Sequence, residues 1–240
     1  MGHTTIISHR AAMGEAPANT LAGVRAALHS ADAMEIDIQL SKDGVPVLMH
    51  DPTVDATTNL SGPVRDFTVE ELSMANAGDG EHVPTLAEVL QLVQGHLAIF
   101  CELKPTPNDP EQDARLVDAF VRVVEEHNAT TWTGAHSFEA EILERCRRRQ
   151  PLLATSLITP PVEGAEMQRV FATALKLGCQ AVSVFHLGVN EHLVRAAKFR
   201  MLTVAAWTPN EEDEWRRLID LGVDAIVTDY PSRLRKMLGR

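Results

Sequence analysis

The chain has 240 residues, 45% of them hydrophobic, enough for a substantial core in one large α/β domain or two small ones. A formal net charge of −11 argues against a nucleic-acid-binding or anionic-membrane surface, and no apolar stretch is long enough to span a bilayer, so integral membrane association is not expected. Cys101, Cys146 and Cys179 are odd in number, widely spaced and without a CxxC pair, which argues against a disulfide framework or a zinc knuckle; with no basic segment leading into a long apolar run at the N-terminus, a reducing, cytoplasmic location is expected.

The predicted elements alternate from the start. Residues 4–8 form a short β-branched run ending at His9-Arg10, and a loop to Pro17 leads into a helix over 20–30. Residues 33–40 alternate around Ile36 and Ile38 as a strand, and Asp43-Gly44 is a hairpin signal that turns the chain back over 46–49. Residues 51–84 are polar and turn-rich, carry a capping box at Thr68 and Glu71, and read as an insertion with apolar residues of its own. A helix follows over 85–94, then a near-continuous apolar strand over 97–103 that ends in Glu102-Leu103-Lys104. From there helices over 111–127, 138–149, 163–177, 190–199 and 211–221 alternate with strands over 131–137, 152–158, 181–185, 201–207 and 225–228, before a last helix from 231.

Setting aside the antiparallel return arm of the hairpin leaves eight βα-type strands, the count of a TIM (β/α)8 barrel, in a chain close to that fold's typical size of about 250 residues. An open doubly wound sheet is the competing architecture, but no Gly-x-Gly-x-x-Gly follows the first strand and there is no P-loop. The expectation is one barrel domain over 1–240 with a small inserted segment at about 51–84, after the second strand. Barrel chemistry sits at the C-terminal ends of the strands. His9, Arg10, Glu35, Asp37, Glu102, Lys104, Ser137, His186, Trp207 and Asp229 all fall at those ends.

The stretch from Glu35 to Asp51 concentrates the chemistry. Glu35 and Asp37, two apart on a strand, share one face, where they repel unless a cation sits between them. With Asp43 and Gly44 as a two-residue turn, Lys42 pairs with Val45 and Asp37 comes opposite His50, folding the histidine onto the carboxylates; a one-residue slip would turn it to the other face.

His9-Arg10, Pro17-Ala-Asn-Thr20, Glu35-Ile-Asp37, Lys42 to Asp51, Pro84-Thr-Leu, Glu102-Leu-Lys104, Trp207-Thr and Gly222 to Asp229 together resemble the glycerophosphodiester phosphodiesterase family, in order from first strand to last. The resemblance implies a metal-dependent hydrolase that cleaves glycerophosphodiesters to sn-glycerol 3-phosphate and an alcohol. By the same resemblance Glu35, Asp37 and Glu102 are the metal ligands, and three oxygen donors favour Mg²⁺ or Ca²⁺ over zinc. His9 and His50 are implied as the acid/base pair, Arg10 and Lys104 as phosphate-binding cations, and Trp207 as a pocket wall. A phospholipase D-like activity on lysophospholipids and a catalytically silent binding barrel are the alternatives. The match is broken in places: Ala18 stands where the family usually has glutamate, with Glu15 expected to compensate in part; Ala11-Ala12 follows His9-Arg10 where a glycine is usual; and Ala56 stands where arginine is frequent. Asp229 is expected to cap the final helix, Ser137-Phe138 to be structural, and His186 has no family counterpart.

Overall fold

Parallel pairing runs around a closed ring in the computed structural model, which describes residues 4–240; the reading of the first three residues lies outside them. Strands β1 (Thr5–Ser8), β2 (Ala33–Leu40), β4 (Ala98–Leu103), β5 (Thr133–Ser137), β6 (Ala154–Thr159), β7 (Ala181–Phe185), β8 (Thr203–Trp207) and β9 (Ala225–Thr228) pair in sequence, and β1 pairs with both β9 and β2 to close an eight-stranded barrel. The short β3 (Pro46–Leu48) runs antiparallel along β2, as the turn signal predicts. Helices α1 (Leu21–Ser30), α3 (Leu86–Val93), α4 (Pro110–Glu126), α5 (Ala140–Arg149), α6 (Gly164–Leu177), α7 (Glu191–Phe199), α8 (Glu212–Leu221) and α9 (Pro231–Met237) form the outer layer, with the one-turn α2 (Val69–Ser73) in the excursion after β3.

The two faces of each strand explain the layering. Outward residues such as Met34, Ile36, Ile38, Ile99, Cys101, Val182, Val204 and Ile226 are fully or almost fully buried against the helices in one large apolar cluster. Each such side chain contributes about 1.5–3 kcal/mol by leaving water. The inward residues are smaller or polar: Ile7, Ala33, Ala205, Ala225 and Val227 make a thin inner core with Phe100 and Trp207. Capping defines the helix starts. Thr20 accepts from the Gly23 amide, and Thr68 and Thr85 make full capping boxes with Glu71 and Glu88. The excursion after β3 builds a satellite core of its own from Val54, Val64, Leu72 and Val83 under Val47 and Met49.

The hairpin between β2 and β3 differs from the expected register. Leu40 pairs with Pro46 and Ile38 with Leu48, so the loop holds three residues, Lys42-Asp43-Gly44, with Gly44 left-handed at φ +78°. Ser41 closes that loop: its amide donates to Val45 O, and its hydroxyl donates to Asp43 and accepts from the Val45 amide. These bonds favour the longer turn over a two-residue type I′ turn. Asp37 therefore faces Met49, whose amide donates to Asp37 O at 3.1 Å, and His50 lies one residue beyond.

The loop after β1 is the tightest piece of backbone. Arg10, Ala11 and Ala12 are all left-handed, with φ of 45°, 56° and 64°, and Met13 N donates back to His9 O at 3.1 Å. Left-handed residues with a Cβ cost about 1 kcal/mol or more each, so surrounding packing must hold them. Gly23 of α1 supplies that packing by close approach: a Cβ there would lie 2.1 Å from Ala11 O. Helical Gly→Ala exchanges at open sites stabilise by about 1 kcal/mol. Gly23→Ala is instead expected to destabilise by about 1–3 kcal/mol in urea unfolding, because helix and loop must separate.

Candidate active site

Two-residue periodicity on neighbouring parallel strands assembles the mouth of the barrel. Asp37 pairs in register with Glu102, and Glu102 with His136, so β2, β4 and β5 present these three side chains at one level on the inner face. Glu35 lies one inward step below Asp37, while His9 and Asp229 follow the ends of β1 and β9. All of the sequence-predicted residues, Glu35, Asp37, Glu102, His9, His50, Arg10, Lys104 and Trp207, meet at this mouth.

Glu35, Asp37 and Glu102 each bring a carboxylate oxygen within 4.8 Å of the others. Burial, with the Asp37 and Glu102 charges beside it, pushes the Glu35 carboxyl well above the usual range. Burial pushes Asp37 the same way, but Lys104, His50 and Asn19 outweigh it and hold Asp37 low. Glu102 is raised by burial, with Lys104 pulling down and Asp37 pushing up. Burial disfavours the Lys104 ammonium, yet contacts with Asp37 and Glu102 raise it overall. The Lys104 Nζ lies 2.9 Å from Asp37 Oδ1 and also donates to Glu102. Asn19 clasps Asp37 from the other side, its Nδ2 donating to Oδ2 at 2.8 Å and its Oδ1 accepting from the Asp37 amide at 3.2 Å. The Arg10 amide donates to Glu35 Oε2 at 2.9 Å, while Glu35 Oε1 is buried without a partner. Three hard oxygen donors converging on one point, one of them with an unmet buried oxygen, fit a divalent cation of the oxygen-loving class.

Both histidines are held through Nδ1. The His9 Nδ1–H donates to Asp229 Oδ1 at 2.6 Å, and Asn210 Nδ2 donates to the other Asp229 oxygen at 2.7 Å. Burial favours the neutral Asp229 carboxyl, but the hydrogen bond and charge of His9, with Asn210 and Arg10, hold it below the usual carboxylate range. The expected helix cap is thus corrected: Asp229 belongs to His9. The first turn of α9 is served by Glu15, which accepts from the Ser232 amide and hydroxyl. That role also removes Glu15 as a substitute for the carboxylate missing at Ala18, which borders a hollow of about 30 Å³ beside Arg10 and His50. His50 pairs through Nδ1 with Asp51 at 2.7 Å. Its backbone is gripped by Gln39, whose Nε2 donates to the carbonyls of Met49, His50 and Asp51. This clamp brings His50 to the mouth despite the shifted register.

The mouth encloses a cavity of about 240 Å³ with two unlike halves. His9, Arg10, His50, Glu102 and Lys104 line one, and Phe138, Ile158, Trp207 and Val227 line the other. Trp207 meets Phe138 edge-to-face at 5.7 Å and Phe185 at 5.0 Å, and its indole N–H donates to Ser183 O. Ser137 is structural as expected, donating to Leu103 O and accepting from the Glu139 amide. Phe138, expected to be structural, is 41% exposed and lines the cavity. His136, on β5, was not singled out in the sequence. It is 7% exposed, and burial, with the Lys104 charge, pushes it down to about 3. Gln39 and Asn210 were missed as well, and Asn19 received no role although it stands in the Pro17-Ala-Asn-Thr20 motif, since an amide side chain does not by itself distinguish a clamp from a surface residue.

The chain as a whole is similar to known proteins. The model of the "Glycerophosphoryl diester phosphodiesterase family" covers residues 9–233. The chain belongs to this family. The Bacillus subtilis protein YhdW is 35% identical over 242 residues, 96% of each chain, and the glycerophosphodiester phosphodiesterase of Caldanaerobacter subterraneus subsp. tengcongensis is 30% identical over 240 residues, again 96% of each. Among solved structures, an Oleispira antarctica phosphodiesterase in complex with the product sn-glycerol-3-phosphate has a TM-score of 0.89 at 26% identity, covering 98% of this chain and 97% of that one. As a member the chain is a phosphoric diester hydrolase with the family's TIM barrel. Among the described residues, no helix is long and apolar enough to cross a membrane.

His186 stands apart from this machinery. Its Nδ1 pairs with Glu214 Oε1 at 2.6 Å, and Arg217 donates to both Glu214 oxygens and to the His186 and Val189 carbonyls. Chiefly through the Arg217 bonds, Glu214 is held down to about 2. A carboxyl depressed on folding stabilises above its unfolded pKa of about 4.5 and loses that stabilisation as pH falls toward about 2. Glu214→Gln is expected to lower stability by about 1 kcal/mol at pH 7, after allowance for solvent screening. In thermal unfolding followed from pH 6 to pH 3, its gap from the parent should narrow with falling pH.

Proposed function

We propose that the site hydrolyses glycerophosphodiesters to sn-glycerol 3-phosphate and an alcohol, with His9 and His50 as the acid/base pair. The observation that carries this reading is the pair of histidines, each tied by Nδ1 to a carboxylate and lining a cavity shared with Glu35 and Glu102. A histidine fixed at Nδ1 keeps Nε2 for proton transfer. One takes the proton from the attacking oxygen, either water or a neighbouring glycerol hydroxyl whose cyclic phosphate water then opens, as the new P–O bond forms; the other gives a proton to the departing alkoxide as the old P–O bond breaks. Arg10 and Lys104 neutralise the phosphate, Arg10 with a buried Nε that makes no hydrogen bond within the protein and lies 3.6 Å from Asp37 Oδ2. Glu35, Asp37 and Glu102 would hold a Mg²⁺ or Ca²⁺ ion, which would supply Lewis-acid stabilisation of phosphoryl charge. Trp207 and Phe138 form the wall next to the phosphate. The cavity, about 240 Å³, is smaller than the roughly 300–1,000 Å³ of pockets for drug-sized ligands, which favours a small deacylated diester over a lysophospholipid chain. Three buried, free cysteines and an acidic chain agree with a cytoplasmic enzyme that acts on a small molecule rather than nucleic acid.

The deciding assay is release of sn-glycerol 3-phosphate from glycerophosphocholine and glycerophosphoethanolamine after chelation, then with Mg²⁺ or Ca²⁺ restored. Activity should vanish on chelation and return with metal, and His9→Ala and Glu35→Ala should each lose about 10²-fold or more. No release from folded protein with any divalent metal would overturn the reading. Asp229→Asn leaves the shape intact but removes the charge that holds the His9 proton on Nδ1. Its kcat should fall about 10²- to 10⁴-fold with a thermal midpoint within a few degrees of the parent.

A further inference from the structure

Most polar side chains at the mouth are engaged: His9 with Asp229, His50 with Asp51, Lys104 with Asp37 and Glu102. His136 is an exception. It is 7% exposed, it lines the cavity, and its Nδ1 is buried with no hydrogen-bond partner in the protein. The ring is edge-on to Phe100 at 6.4 Å, and it pairs in register with Glu102 on one side and Ser156 on the other. An unmet buried polar group costs about 1–3 kcal/mol, so its persistence calls for a use.

The chemistry of the surroundings narrows that use. Phosphate oxygens only accept hydrogen bonds, and the charged half of the mouth answers them with Arg10 and Lys104. The opposite half is apolar through Phe138, Ile158 and Trp207, a wall suited to carbon-bound hydrogens. His136 lies on the strand between the two halves, after Glu102 on β4 with Lys104 just past its end, and before Ile158 on β6. An imidazole with one N–H and one lone pair donates and accepts, as a hydroxyl does. We propose that His136 is a specificity-determining residue that hydrogen-bonds a hydroxyl of the substrate's glycerol moiety, whose carbons lie against the Phe138–Trp207 wall. This assignment rests on the glycerophosphodiester reading of the site.

The test is calorimetric binding of two probes in the presence of Ca²⁺: sn-glycerol 3-phosphate, and propyl phosphate, which has the same charge but no hydroxyls. The parent should bind the first more tightly. His136→Phe should lose about tenfold in affinity for sn-glycerol 3-phosphate while its affinity for propyl phosphate stays within twofold. His136→Gln should retain most of the preference, because an amide also donates and accepts. If His136→Phe does not fold by circular dichroism, His136→Ala carries the same comparison. Equal weakening of both probes, or no change in either, as when a bound water alone satisfies Nδ1, overturns the proposal. Turnover by the parent separates the two readings. Release of sn-glycerol 3-phosphate by a parent whose His136 variants keep full selectivity sinks only the His136 assignment; a parent that neither cleaves glycerophosphodiesters nor binds sn-glycerol 3-phosphate sinks both.

Discussion

Three carboxylates crowded inside the top of a barrel are the constraint on which this structure depends. Glu35, Asp37 and Glu102 lie within 4.8 Å of one another, where bulk water cannot screen them, and like charges at that range are costly. The protein offsets this with specific partners. Lys104 lies against Asp37 and Glu102, Asn19 grips Asp37 at both its amide and its side chain, and the Arg10 amide serves Glu35. Each partner comes from a different part of the chain, so the acid cluster ties the loop after β1, the start of α1 and the end of β4 into one unit. The left-handed run at residues 10–12 follows from this need: it turns the Arg10 and Ala11 amides back onto Glu35, whose side chain and carbonyl accept them.

Around the acids the mouth divides by strand order. β1, β2 and β4 with the segment after β3 carry the charged residues and the two paired histidines, whereas β6 and β8 bring apolar walls. A phosphodiester has the same division, an anionic centre flanked by carbon chains, and the barrel presents the two halves from separate arcs of its ring. The two histidines are held by the same device, a carboxylate on Nδ1, though one carboxylate is the next residue and the other is 220 positions away.

Much of this was legible in the chain because its signals are short-ranged. Two acids two apart on a strand must share a face, and the eight βα repeats appear as apolar runs separated by helical periods. Glu102-Leu103-Lys104 at the end of an apolar strand marked the third acid and its cation. What failed was what depends on more than one segment. The hairpin register turned on whether Ser41 would hydrogen-bond inside the loop, a competition worth one residue, and the turn dipeptide alone does not decide it. Asp229 read as a helix cap because it stands just before a helix; its true partner, His9, is near the other end of the chain, as is Glu15, which serves that helix instead.

The amino-acid sequence by itself determined the strand and helix order, the count of eight βα strands and the shared face of Glu35 and Asp37, since each rests on local periodicity; its resemblance to the glycerophosphodiester phosphodiesterase family supplied the reaction class and pointed to the acids and histidines. Only the tertiary structure decided that β1 closes onto β2 and β9, that Asp229 and Asn210 orient His9, that Gln39 holds His50 at the mouth, and that His136 lines the cavity while its buried Nδ1 goes without a hydrogen bond. The physical reason is the same in each case. Burial and hydrogen-bond satisfaction belong to the space between strands, and a residue's neighbours there are set by ring closure and register rather than by its place in the chain.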